Sequence, residues 1–493
     1  MTKNPLWTAA EIARATGGTT TGTWTASGFS YDSRTVNPGD VFVAIRSDDF
    51  PRLAHTKGGD GHNYIAAALA AGAAGVMAQT IPPELAQDPR VIKVSSTAEA
   101  WVDLGIAARN RFGGLVVGIA GAVGKTSTRE MTRLVLNEFG QTHHSVGNYN
   151  NILGVPHTLA HCPVGHDYAV VEMGMDAPGE MRDLTRIVRP HAAIITTIAL
   201  EHMENFPTGL DGIADAEAEI FDSMGPGGIA ILNRDMDQYA RVLGHARTAG
   251  LVKTVSFGEH QEADARLITC TEARNGTRVT AMIMGETVDY FIQGGKHLAM
   301  NALAVLLLAK VYELDLAKAA TALARFAPVT GRGTQESLII GDPNNPVILI
   351  DESYNASPAA MNAAFRVVAL IDPGRGGRRI AILGDMLELG PTAPQLHADL
   401  ALPIRAAGID LVYTCGTLMK YLHEALPANT RGAHRDTSSE LAKIVPDVLV
   451  PGDVVMVKGS KSSRMDVVVE ALRQLPKQQI SAHNPEQGNR HAL

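Results

Sequence analysis

Lys125 and Thr126 close the run Gly121-Ala122-Val123-Gly124-Lys125-Thr126-Ser127, an order of residue types able to hold the phosphates of a nucleotide. An apolar stretch, Leu115-Val116-Val117-Gly118-Ile119-Ala120, precedes it, and a segment of helical character over 127–139 follows. In such a strand–loop–helix order the glycines let backbone N–H groups curl around oxyanions, and the helix N-terminus adds positive potential. Lys125 is expected to reach the β- and γ-phosphates, and the Thr126 hydroxyl to ligate Mg²⁺. Gly121, Val123, Gly124 and Ser127 complete the expected cradle. The loop is shorter than usual, because Ile119 stands where a glycine would precede Gly124 by five residues.

Further polar residues follow other apolar runs. Glu172 ends Val170-Val171-Glu172, where a carboxylate beside a phosphate loop commonly gives Mg²⁺ its second support. His202 lies in Glu201-His202-Met203-Glu204, and a neutral imidazole there could ligate a divalent cation or orient a carboxylate. The segment 215–221 reads as a helix on which Glu217 and Glu219 face different ways, so they are not expected to act as one pair. Asn233, at another strand end, and Asn301, in the helix after Gly295-Lys296-His297, could touch adenine or ribose, or could simply cap and turn the chain.

These residues need a scaffold that brings strand ends together. Four near-continuous apolar runs, Leu115–Ala120, Tyr168–Glu172, 192–198 and 229–232, predict a parallel sheet covered on both faces. Such sheets bind ligands beyond the carboxyl ends of their strands. Residues 251–291 read as a small antiparallel excursion and 298–312 as a strong helix. Residues 327–333, with Pro328, Gly331 and Gly333, look like a hinge. Beyond it, runs at 347–350, 380–383, 411–413 and 454–457 predict a second doubly wound unit. Before residue 109 a smaller α/β unit is expected, with a strand over 40–45, a loop over 48–62 and a helix over 64–74. The divisions are 1–108, 109–327 and 328–476, with a polar, disordered tail over 477–493.

Composition narrows the class. A chain of 493 residues, 45% apolar and 19% charged, suits a multidomain globular protein. A net charge of −8 argues against a nucleic-acid surface as its main business. Cys162, Cys270 and Cys415 have no paired spacing and read as reduced thiols. With no apolar N-terminal leader and no span-length apolar window, a cytoplasmic location without membrane insertion is expected.

In order, these motifs resemble the Mur ligases of peptidoglycan precursor synthesis, over nearly the whole chain. Within the family the likeness is to the branch that adds D-alanyl-D-alanine to UDP-N-acetylmuramoyl-tripeptide. It is carried by Gly147-Asn148-Tyr149-Asn150-Asn151 with Gly154-Val155-Pro156, by Asp351-Glu352-Ser353-Tyr354-Asn355-Ala356-Ser357-Pro358, and by Leu383-Gly384-Asp385-Met386-Leu387-Glu388-Leu389-Gly390. Tyr31-Asp32-Ser33-Arg34, Pro38-Gly39-Asp40 and Asp60-Gly61-His62 look like the family's UDP-sugar-binding unit.

The resemblance implies an α/β protein of three domains: a smaller N-terminal one for the UDP end, a central P-loop doubly wound sheet for ATP, and a Rossmann-like C-terminal one closing over both. It implies that Glu172 and His202 ligate metal, and that Asn301, Arg332 and Asp351 approach the nucleotide. Ser33 and Arg34 would lie near the uridine, with Asn148, Asn151, Tyr354 and Asn355 on substrate. The partners implied are UDP-N-acetylmuramoyl-tripeptide and D-alanyl-D-alanine, acted on by a monomer.

Two positions depart from the family pattern. Ala122 replaces a usual serine or threonine, which backbone cradling should tolerate. Glu217 stands where most members have a lysine that CO₂ carboxylates, and no lysine occurs between Lys125 and Lys253. Glu217 is therefore expected to supply a permanent carboxylate toward a second Mg²⁺, making it catalytic and metal-ligating with Lys125, Glu172 and His202. The competing expectations are a folylpolyglutamate-type or other amino-acid-adding ligase, a P-loop GTPase or motor, and a non-catalytic protein that kept the fold. A missing Asn-Lys-x-Asp guanine motif and the lack of a ring-type ATPase signature speak against the second.

Overall fold

Three larger sheets follow one another along the chain, beside a two-stranded pair of Trp7–Thr8 with Thr25–Ala26, in a computed structural model that describes residues 5–50 and 59–475. The expected tail over 477–493 and part of the loop over 48–62 lie outside the described residues.

The first sheet holds four parallel strands in the order Gly28–Ser30, Asp40–Val43, Gly75–Ala78 and Val91–Lys93. Its expected helix is shorter than 64–74, running over Ile65–Ala70 after a 3₁₀ turn at Gly61–Tyr64. The helix Thr97–Arg111 starts where the Ser96 side chain accepts from the Glu99 N–H, and it runs on through residue 108. Its Trp101 indole donates to Leu153 O at 3.0 Å, and Phe29 N–H donates to His161 Nε2 at 2.9 Å, so the first unit is keyed to the second through buried aromatics.

The central sheet has nine strands. Its parallel part runs Thr142–His144, Tyr168–Glu172, Leu115–Ala120, Ala192–Ile195, Ile229–Asn233 and Lys253–Gly258. Ala265–Ala273, Gly276–Ile283 and Glu286–Ile292 then continue it as the expected antiparallel excursion. The first of these three joins Lys253–Gly258 in parallel, through Phe257 and Gly258. Helix Lys296–Val311 is buried almost all round, as its unbroken apolar sequence requires, and packs against both the sheet and helix Lys125–Leu136. That burial makes it a rigid carrier for Asn301.

The strand expected over 192–198 stops at Ile195. Thr196 and Thr197 leave the ladder to brace the phosphate loop: Thr196 Oγ1 donates to Val123 O at 2.7 Å, and Thr197 O accepts from Ala122 N–H at 2.8 Å. The segment expected as a helix over 215–221 divides into a helix Leu210–Ala218 and a 3₁₀ turn Glu219–Ser223.

The third sheet has six strands in the order Thr334–Leu338, Val347–Glu352, Val454–Lys458, Arg379–Gly384, Leu411–Cys415 and Arg431–Arg435, all parallel except the first. Gly331 (φ 76°) and Gly333 (φ 96°) make the turn that leads into it. Cys162, Cys270 and Cys415 are all unpaired. No described helix is long and apolar enough to cross a membrane.

Candidate active site

The carboxyl ends of the central strands face the third sheet across a cleft of about 1010 Å³. Val123, Gly124, Lys125, Thr126, Ser127, Asn148, Asn151, Glu172, His202 and Asn301 reach it from one side, and Arg332, Tyr354 and Asn355 from the other. Asp49 and Phe50 of the first unit join its rim.

The phosphate loop is built as its residue types demand. Gly121 (φ 116°) and Gly124 (φ 95°) adopt left-handed backbone. A Cβ on Gly124 would lie 2.7 Å from Asn301 Nδ2, and one on Gly121 would lie 2.3 Å from Thr196 Oγ1. The following helix begins at Lys125, two residues before the expected 127 and directly after the left-handed glycine. Lys125 Nζ donates to Gly121 O at 2.6 Å and to Ala122 O at 3.3 Å, and lies 4.0 Å from Glu201 Oε2. Gly124→Ala is expected to weaken nucleotide binding at least about tenfold, because both the backbone conformation and the Asn301 contact are refused. Calorimetric titration with ATP checks this, and an unchanged affinity would detach the loop from the nucleotide.

Glu172 is 1% exposed. Its carboxylate accepts from Thr126 Oγ1 at 3.2 Å, Arg129 Nη1 at 3.0 Å and Asn150 Nδ2 at 3.0 Å. A buried carboxylate needs such a partner, and Arg129 supplies the charge. The oxygens of Thr126 and Glu172 fit a Mg²⁺ ion, which takes few protein ligands and fills its shell with phosphate and water.

His202 is placed differently from the expected metal ligand. Its Nδ1 lies 2.5 Å from Glu388 Oε2 and its Nε2 3.3 Å from Asp176 Oδ1, so both ring nitrogens face carboxylates. Burial alone would depress its pKa. The Glu388 hydrogen bond and the charges of Asp176, Glu388 and Glu201 outweigh that and hold it above the usual histidine value. As arranged here, the ring is a partner for two carboxylates. Among the described residues, no three His, Cys, Asp or Glu side chains converge as a metal cluster. Glu172, His202 and Glu217 are therefore not gathered around one point.

Glu217 lies behind the loop and does not line the cleft. It is 2% exposed, and its Oε2 accepts from Gly121 N–H at 2.9 Å. Burial pushes its carboxyl up to about 6, against the pull of Lys125 and the Gly121 N–H. Glu219 turns away, as the sequence predicted, and accepts from Gly179 N–H and Arg182 N–H.

The remaining residues divide. Arg332 stacks 4.1 Å over the Tyr354 ring, and Lys461 stands 5.6 Å from it. Asp351 turns from the cleft: Oδ1 accepts from the Ser353 N–H and hydroxyl, and Oδ2 meets Arg473 at 3.2 Å. Asn151 Oδ1 accepts from Leu153 and Gly154 N–H, while Asn148 Oδ1 accepts from Asn150 at 3.4 Å. Asn233 serves the fold, donating to Thr196 O at 2.9 Å. Ser33 and Arg34 occupy the turn after strand Gly28–Ser30, where Arg34 is paired to Asp32, and they do not line the cleft.

Sequence reasoning passed over Arg129, Glu201 and the Lys458–Glu352 pair. Arg129 follows Lys125 by one helical turn, a spacing that could have found it. Burial raises the Glu201 carboxyl despite Lys125. Lys458 Nζ donates to Glu352 Oε2 at 3.1 Å and Asn355 O at 2.9 Å, joining two strand ends far apart in sequence.

Comparison with known proteins accords with this geometry. Residues 119–309 match the family model of the Mur ligase middle domain, and residues 338–461 that of the Mur ligase glutamate ligase domain. The UDP-N-acetylmuramoyl-tripeptide–D-alanyl-D-alanine ligase of Escherichia coli is 32% identical over 451 residues, 90% of this chain and 93% of that one. Its namesake in Rickettsia prowazekii is 29% identical over 94% of this chain and 99% of its own. A crystal structure of MurF from Acinetobacter baumannii superposes with a TM-score of 0.81 at 26% identity, covering 95% of this chain and 99% of that one.

Proposed function

Because the chain belongs to the Mur ligase family, we propose that it is the ATP-dependent, ADP-forming amide ligase that joins D-alanyl-D-alanine to UDP-N-acetylmuramoyl-tripeptide. The observation that carries this is one cleft in which Lys125, Thr126 and Glu172 face Arg332, Tyr354 and Lys458. A phosphate-activating wall thereby stands opposite a wall able to hold an acceptor.

The chemistry follows from the charges. A terminal carboxylate oxygen of the tripeptide attacks the γ-phosphorus of ATP, and ADP leaves an acyl phosphate. The free amine of the dipeptide then attacks the acyl carbon, loses a proton, and expels phosphate. The first step brings two anions together, so cations must neutralise both. Lys125 is the one positioned on the loop. Arg332 and Lys461 bring positive charge from the opposite wall. Mg²⁺, held by Thr126 and Glu172, would add further neutralisation of the phosphates. Glu217 would hold the loop by its Gly121 hydrogen bond and add a fixed negative charge beneath it.

We assign residues 1–108 to the UDP end of the substrate, 109–327 to ATP and 328–476 to closure over both. The first boundary falls inside helix Thr97–Arg111, which ties two of these units together. The enzyme is proposed to act as a monomer. A cytoplasmic site of action suits the three unpaired cysteines.

Phosphate release from ATP, with each substrate omitted in turn, tests the assignment. Release that needs UDP-N-acetylmuramoyl-tripeptide and D-alanyl-D-alanine together is expected. Release with a single amino acid replacing the dipeptide would move the chain to another step, and release with neither to another ATP-using class.

A further inference from the structure

One motif is left unexplained by phosphate chemistry, the stretch 383–390 of the third unit. Its backbone touches the central unit directly: Met203 N–H donates to Glu388 O at 2.8 Å. The Glu388 side chain meets His202 Nδ1 at 2.5 Å, and Asp176 Oδ1 lies 3.3 Å from the other ring nitrogen, Nε2. Both facing residues are strained, His202 at φ 50° and Glu388 at φ 64°, in a region sparsely populated by anything but glycine. Close approach continues at Gly390 (φ 62°), where an added Cβ would lie 3.7 Å from Glu204 N. Leu200, from the central unit, packs against the apolar core of the third, a core to which Leu389 belongs. Between Leu200 and His202 sits Glu201, whose carboxylate lies 4.0 Å from Lys125 Nζ.

We propose that Glu388 is a positioning residue, the tip of an interdomain latch that clamps segment 200–204 and so sets Glu201 against the phosphate-loop lysine. Every link is a contact between neighbouring groups: Glu388 to His202, His202 by one peptide bond to Glu201, Glu201 to Lys125. Two strained residues persist on facing loops only when the contact between them overdetermines their conformation. Closing of the third unit thereby reaches Lys125 through a rigid path. The kinetic part of the test rests on the ligase assignment; the exchange part does not.

Hydrogen exchange in residues 200–206 of the full chain reads the latch, because the Met203 N–H is shielded by Glu388 O. Glu388→Ala keeps the backbone acceptor and removes only the side chain. It is expected to speed exchange there at least about tenfold, while the strand Val347–Glu352 keeps its protection. Its kcat for phosphate release should fall about tenfold, with KM for ATP within about twofold, since Lys125 keeps its hydrogen bonds to Gly121 O and Ala122 O. Glu388→Gln retains an oxygen toward His202 and should give a smaller acceleration, so the order Ala, Gln, native carries the test where the larger truncation unfolds. Unchanged exchange in 200–206 overturns the proposal. So does loss of protection throughout the third sheet, which would mark Glu388 as a general support of its own unit. An exchange effect in a protein that releases no phosphate supports the latch and overturns the ligase assignment.

Discussion

Lys125→Ala is expected to reduce ATP-dependent phosphate release by about 10³-fold or more, and ligation with it. The size follows from where charge builds up. Acyl-phosphate formation pushes a carboxylate toward a triphosphate, and the ammonium of Lys125 is the cation placed on the loop itself. In the structure Nζ is gathered at the loop by Gly121 O and Ala122 O, with Glu201 4.0 Å away. Removing it also deprives the carboxylates of Glu201 and Glu217 of the leading attraction on both. Single-turnover trapping of the acyl phosphate separates the two steps: neither intermediate nor product should form. Retained turnover would remove the loop from the chemistry.

Glu217→Gln should lose about a hundredfold in activity while gaining stability. Burial raises the carboxyl from 4.5 to about 6, so the fold favours its protonated form. That contribution is fully present below about pH 4.5 and is lost as pH rises through about 6. At pH 8 the native enzyme therefore holds a strained buried anion, and the neutral amide should relieve about 2 kcal/mol. The thermal midpoint of the variant should exceed the native one at pH 8 and converge with it near pH 4.5. Activity should fall because the negative charge that attracts Lys125 from behind the loop is gone. Bicarbonate should affect neither protein. Full activity in Glu217→Gln, or a bicarbonate response in the native enzyme, would reduce Glu217 to a buried support of Gly121. A midpoint lowered at pH 8 would show that the Gly121 hydrogen bond outweighs the cost of the buried charge.

Much of the site was legible because its signals are local. Glycines that must be left-handed, a lysine and hydroxyl beyond them and a carboxylate at the end of an apolar strand all sit within a few residues of their element. Element ends were less legible. The strand over 192–198 reads as apolar to Ile198, yet Thr196 and Thr197 are recruited by Val123 and Ala122, more than seventy residues away. His202 could be seen as a polar residue after a strand, but nothing near it in sequence announces Glu388 or Asp176. Asp351 shows the reverse: a carboxylate at a strand end reads as functional, and Arg473 turns it into an internal ion pair.

By itself the sequence determined the periodicities that specify two doubly wound sheets and a smaller third, the composition of the phosphate loop, and the absence of any lysine where Glu217 stands. These depend on backbone conformation and side-chain chemistry within one element, which neighbouring residues dictate. Tertiary structure alone decided which groups share a charge environment. It put Arg129 on Glu172, Glu217 beneath Gly121 across a separation of 96 residues, and Glu388 on His202. A carboxylate becomes a metal ligand, a loop brace or a latch according to the charges and burial around it, and those are set by chain crossings that no local pattern encodes.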